Sequence, residues 1–170
     1  MNERFKAIAG SVVFLFVAPG IVAGVIPWSI SLYVQQPPLF GLEPMRWLGV
    51  LLLALGAVLL AETFARFALQ GLGTPAPIAP TRTLVVTGSY RFVRNPMYVA
   101  VVSLILGQGL LFGNWLVLAY GAVVWLTVHL FVLSYEEPTL RRSYGEQYER
   151  YCANVRRWIP RLTPFTPPSA

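Results

Sequence analysis

Apolar residues run with few breaks from Ile8 to Val34, Met45 to Leu69, Met97 to Phe112 and Leu116 to Leu133. Runs of this length predict helices that cross a membrane. The first follows the charged start Glu3-Arg4-Lys6, the order found in signal peptides, but as a helix it reaches about 40 Å and exceeds a signal core. Pro19 and Pro27 predict a kink or an early end in it. The second opens at Pro44, and its Gly and Ala residues allow close helix contact. The third, about 24 Å of helix, spans only marginally. Gly113-Asn114 joins it to the fourth as a helical hairpin.

Between Gln70 and Pro96 the helical period disappears, and four prolines and three glycines predict a long loop, with Thr83 to Thr87 as one short extended piece. After Pro138 the pattern turns amphipathic: Leu140, Tyr144, Tyr148, Tyr151 and Val155 recur at helical spacing among arginines. A helix over 138–157 is expected to lie on the membrane or cap the bundle, with an irregular tail from Arg161. The expectation is an all-α integral membrane protein, one domain over 1–170, with about four transmembrane helices and an amphipathic C-terminal helix.

Composition sharpens this picture. The 170 residues are 56% hydrophobic and 12% charged, against about 25% charged in a soluble domain. All seven acids are Glu, and there is one His (His129) and one Cys (Cys152). A Ser-His-Asp triad, an EF-hand, a Cys/His zinc cluster and an internal disulfide are excluded, and nothing speaks for a metal. The net charge of +6 points to anionic lipid headgroups before nucleic acid. Arg4, Lys6, Arg82, Arg91, Arg94 and six arginines from 141 to 161 fall on one side and Arg46 alone on the other. The positive-inside rule then predicts a multi-pass protein with both termini, the long loop and the last helix in the cytoplasm.

Glu136-Glu137 ends the fourth run. The pair reads either as a membrane-exit signal or as a receptor for an organic cation or ribose hydroxyls. Asn95 is a good N-cap and Pro96 a good first helical residue, and that helix start beside Arg91 and Arg94 is fit for a carboxylate or phosphate. Gly71-Leu72-Gly73 either ends a helix or lets a ligand approach. Glu62 and Arg66, four apart, can pair along one face; ionisable groups at that depth are functional candidates unless Arg66 snorkels. His129 reads as a hydrogen-bonded interhelical residue or a base, and Cys152 as packed beside the aromatic stripe.

Gly71-Leu72-Gly73, Arg82-Thr83-Leu84-Val85, Gly88-Ser89-Tyr90, Arg94-Asn95-Pro96-Met97-Tyr98, Glu136-Glu137 and Tyr144 to Tyr148 running to Arg157-Trp158-Ile159-Pro160 stand in order around the hairpin. Together they resemble the isoprenylcysteine carboxyl methyltransferase and phospholipid methyltransferase superfamily. The resemblance implies that S-adenosylmethionine is bound by the loop, the hairpin and the C-terminal helix. By it, Arg82, Thr83, Leu84, Val85 and Tyr90 line the cofactor, Asn95, Pro96, Met97 and Tyr98 hold it, Glu136 and Glu137 bind its ribose or ammonium, and Gly71 and Gly73 allow close approach. Arg94 is placed at its carboxylate, and Glu62, Arg66 and His129 on the acceptor side. The superfamily's commonest motif has His where Asn95 stands, and the eukaryotic prenylcysteine enzymes have Arg where Val132 stands.

The expected activity is methyl transfer to oxygen, nitrogen or sulfur of a small lipophilic or amphipathic acceptor, with membrane lipids as surroundings. The alternatives are an NADPH-dependent membrane reductase of related fold and a non-enzymatic scaffold that binds lipid or a partner protein.

Overall fold

The computed structural model describes residues 17–70 and 84–166, without the side chains of 67–70. Four apolar helices make up the bundle: α1 (Val17–Ser31), α2 (Pro44–Gln70), α3 (Pro96–Phe112) and α4 (Trp115–Phe131). A widened turn, Val132–Glu136, leads without a break into α5 (Glu137–Tyr144), and α6 (Glu146–Asn154) follows. No strand occurs among the described residues. Two stretches, Pro44–Arg66 and Trp115–Tyr144, are long and apolar enough to cross a membrane, whereas α1 and α3 are shorter apolar helices. Leu55, Val58, Leu126 and Leu130 are each more than half exposed on α2 and α4, as expected of faces that meet lipid.

Helix α3 occupies the centre, packed against α2, α4 and the widened turn of α1. Its contact with α2 depends on missing side chains: a Cβ on Gly49 would stand 2.7 Å from the Gly107 carbonyl oxygen, and one on Gly107 2.9 Å from that of Gly49. Backbones this close gain van der Waals contact without a hydrophobic drive between helices. On its other side α3 folds back into α4. Gly113 closes α3 in the left-handed region (φ +69), and the Asn114 side chain accepts from the Val117 amide at 3.1 Å. The predicted hairpin is therefore present.

Prolines explain the two widened turns. Proline lacks an N–H and its ring crowds the carbonyl four residues back, so the helix before it opens by one residue. Pro27 follows the turn Ile21–Val25, and Pro138 follows Val132–Glu136. In α1 the released carbonyls are satisfied across the bundle: Gln108 Nε2 donates to Ala23 (2.7 Å) and Tyr120 Oη to Val22 (2.9 Å). Pro27 thus widens the first helix, which ends at left-handed Leu32 rather than at Val34.

Other expectations change as well. The amphipathic helix predicted over 138–157 is two helices, broken at Gly145 (φ +49) and ending at Asn154. The described part of the Gln70–Pro96 loop holds a tight helical turn, Gly88–Arg91, and residues 84–86 form no strand. Thr83 and the rest of 71–83 lie outside the described residues, as do 8–16 of the first run.

Candidate active site

The site forms where α2, the Gly88–Arg91 turn, the start of α3 and the end of α4 meet. Glu62 and Arg66 pair along α2 as their spacing predicts. Ser89 donates its hydroxyl to Glu62 Oε2 at 2.6 Å and so fastens the turn to α2. Gly88 (φ +54) lies so close to these two side chains that a Cβ there would collide with both. Glycine is therefore required twice over, for its backbone angle and for space. Both ionic side chains stay about a third exposed, Arg66 at 34% and Glu62 at 30%.

Tyr90 follows. The Tyr151 hydroxyl donates to its carbonyl at 2.6 Å, so α6 braces the turn from outside. Burial raises the pKa of the Tyr90 phenol, and the charge of Glu136 adds to this, followed by Tyr151 and Glu62. The phenol thus senses acids on both α2 and the end of α4, and it stays neutral.

Asn95 occupies the N-cap position of α3, but its side chain does not cap the helix. It is buried, and its Nδ2 donates to the Arg157 carbonyl at 3.2 Å. The predicted cap is corrected here: the C-terminal segment takes the amide, and the helix start keeps its positive end free of a side-chain oxygen. One turn on, Tyr98 donates its hydroxyl to Glu136 Oε2 at 2.9 Å.

The adjacent glutamates have different surroundings. Glu137 is only 3% exposed, and Arg157 grips it with two bonds of 2.6 and 3.0 Å, while Arg94 stands at 3.1 Å and Arg141 at 3.6 Å. Both of its oxygens are occupied by guanidinium groups. Glu136, by contrast, has a phenol as its partner, and no ion pair among the described residues includes it. Neighbouring residues on a helix point about 100° apart, so the two carboxylates meet different surroundings. Arg94 also donates to Cys152 Sγ at 2.7 Å, and its buried Nε has no partner among the described residues.

The sequence model of the phospholipid methyltransferase family matches residues 44–147, more than half of the chain. The chain belongs to this family. The match runs from the first residue of α2 into α6 and takes in Glu62, Arg66, Tyr90, Arg94 to Tyr98, Glu136 and Glu137. An uncharacterized protein of Haemophilus influenzae is 32% identical over 63 residues, 37% of this chain and all of that protein. Membership in the phospholipid methyltransferase family implies methyltransferase activity in a membrane setting.

The remaining predicted residues fall in three places. Pro96 and Met97 are buried at the start of α3, next to Tyr98. Leu84 packs on the cluster of Val86, Tyr148, Tyr151 and Val155, and Val85 is half-buried beside it in the chain. His129 stands apart, in α4, where it accepts from Trp158 Nε1 at 3.0 Å and stacks on Trp125 at 5.1 Å. Gly71, Gly73, Arg82 and Thr83 lie outside the described residues. Ser89, Tyr151 and Arg157 were not singled out as site residues, yet they set the positions of Glu62, Tyr90 and Glu137. Their partners are 20 to 61 residues away in the chain, and no local pattern reports such a pairing.

Proposed function

We propose that this chain transfers a methyl group from S-adenosylmethionine to an oxygen, nitrogen or sulfur of a small lipophilic or amphipathic acceptor at the membrane surface. The observation that carries this reading is the contrast between the two glutamates. Glu137 is neutralised by three arginines, whereas Glu136 has the Tyr98 phenol as its donor, Tyr90 nearby, and no ion pair among the described residues. A carboxylate kept clear of cations among aromatic rings suits an ammonium or sulfonium.

The other end of the cofactor is a carboxylate, and the chain offers it a matching donor set. The start of α3 has no side-chain cap, and Arg94 beside it has a buried Nε without a partner among the described residues. When bound, S-adenosylmethionine supplies an electrophilic methyl on a sulfonium. Glu136 and Tyr98 would hold its ammonium or ribose, with Arg94 and the α3 start at its carboxylate. Glu137 positions Arg94 rather than binding ligand, since its own oxygens are taken.

On the acceptor side, Glu62 and Arg66 present a partly exposed carboxylate and guanidinium next to Tyr90, where an amphipathic molecule can place its polar group. The protein's contribution is alignment of nucleophile and methyl with water kept out. Of the described arginines, Arg46 alone stands at the far end of the bundle. This supports a cytoplasmic site and a multi-pass arrangement in which α1 and α3 also cross.

The test is transfer of isotope-labelled methyl from S-adenosylmethionine into the lipid extract of membranes that carry the protein. Label should enter a lipid-phase product with wild type and fall at least tenfold with Glu136→Gln at equal protein level. Equal labelling with and without the protein would overturn the reading.

A further inference from the structure

Beyond α6 the chain turns back as a strap over 156–166, stitched along one edge to the segment before α3. The Arg94 amide donates to Arg156 (3.0 Å), the Arg161 amide to Phe92 (2.9 Å) and the Phe165 amide to Arg91 (2.9 Å), and Arg91 Nε donates to the Phe165 carbonyl (2.6 Å). Away from that edge the strap carries apolar side chains in the open: Leu162 is 99% exposed and Ile159 62%. The two most exposed apolar residues of so short a segment need a medium other than water.

Two independent observations identify that medium. The first is depth. Arg157 reaches Glu137, while its neighbour Trp158 places its indole on His129, eight residues or about 12 Å back along the helix from Glu137. His129 stacks on Trp125, whose neighbours Leu126 and Leu130 lie on the exposed apolar face of α4. Trp158 of the strap therefore reaches back along a membrane-crossing helix, and Trp is a residue of membrane interfaces. The second is charge. Arg150 and Arg156 are exposed, Arg161 is partly so with Nη1 donating to the Asn154 carbonyl (3.1 Å), and no ion pair among the described residues engages any of the three. Apolar side chains on a segment whose arginines have no acid partner match an anionic bilayer surface, with acyl chains for the former and headgroup phosphates for the latter.

We infer that the strap is a lipid-docking element that inserts Ile159 and Leu162 into an anionic leaflet and holds headgroups with Arg150, Arg156 and Arg161. Because the Arg157 carbonyl fixes Asn95 and the Arg156 carbonyl fixes the Arg94 amide, the same element sets the start of α3. Docking on lipid therefore steadies one wall of the candidate site.

The experiment places an environment-sensitive fluorophore on a cysteine at Leu162 (Leu162→Cys with Cys152→Ser) in the full chain. Nanodiscs are made of phosphatidylcholine alone or with one-third phosphatidylglycerol. In the anionic discs the label should lose several-fold of its quenching by iodide and be quenched by lipids spin-labelled high on the acyl chain. Adding Arg150→Glu and Arg156→Glu should remove most of that gain while the helical circular dichroism stays unchanged. Full iodide access in both discs, equal shielding in both, or shielding that appears only when two copies share a disc would overturn the inference. The readout requires neither S-adenosylmethionine nor acceptor, so it stands whether or not methyl transfer is found.

Discussion

Glu136 and Glu137 are chemically identical neighbours, and their surroundings give them opposite roles. A buried carboxylate ringed by arginines is costly to disturb, because removing its charge leaves several guanidinium groups without a counter-ion. Glu137→Gln should therefore cost about 3–5 kcal/mol of stability, seen as a marked fall in thermal unfolding temperature in detergent. Glu136→Gln should leave that temperature nearly unchanged and affect ligand binding alone. Equal destabilisation by both would remove the distinction on which the site rests. The sequence displays the pair plainly but not the division of roles. Arg157, which grips Glu137, lies 20 residues further on among six clustered arginines, and nothing local selects it. Asn95 shows the same limit: its position at the helix start is legible, but a distant carbonyl takes the side chain expected to cap.

Helices and turns follow composition more closely. The hairpin at Gly113-Asn114 was readable because both residues act on their own backbone, one through a left-handed angle and one through a cap. Pro27 signals a kink or an early end, but the widened form of the turns at Pro27 and Pro138 was not readable, since hydropathy carries no record of a one-residue change in register. Pro27 and Pro138 mark them only once their cause is known. Close packing of α2 on α3 leads to a further expectation. Gly107→Val should destabilise by about 1–3 kcal/mol through overpacking, whereas Gly24→Ala, with nothing within 4 Å of its new Cβ, should be neutral. Thermal unfolding of the two variants side by side checks this. The α6 module has its own signature in alkali. Burial raises the pKa of Tyr90, Tyr148 and Tyr151 above the ordinary phenol value. Their contribution to stability is therefore complete below about pH 10, where unfolded tyrosine begins to ionise, and is lost as pH rises further. Phenolate absorbance and loss of helix should appear together above that pH, and phenolate in a protein with intact helices would contradict the burial.

As a whole, the molecule places polar chemistry at one end of an apolar bundle. Two long helices and two shorter ones supply the lipid-facing body. The turn before α3, the widened end of α4, and α6 with its strap gather Glu62, Arg66, Tyr90, Arg94, Tyr98 and Glu136. This is the arrangement that a phospholipid methyltransferase family member needs if its acceptor arrives with the membrane and its methyl donor from water. The most direct measurement is calorimetric titration of S-adenosylmethionine into the protein in nanodiscs, wild type beside Glu136→Gln. Wild type should bind with micromolar affinity, and loss of one charge-assisted contact, worth about 1.5–3 kcal/mol, should weaken binding by about tenfold or more. No binding by the folded wild type, or equal affinity in the variant, would contradict the account.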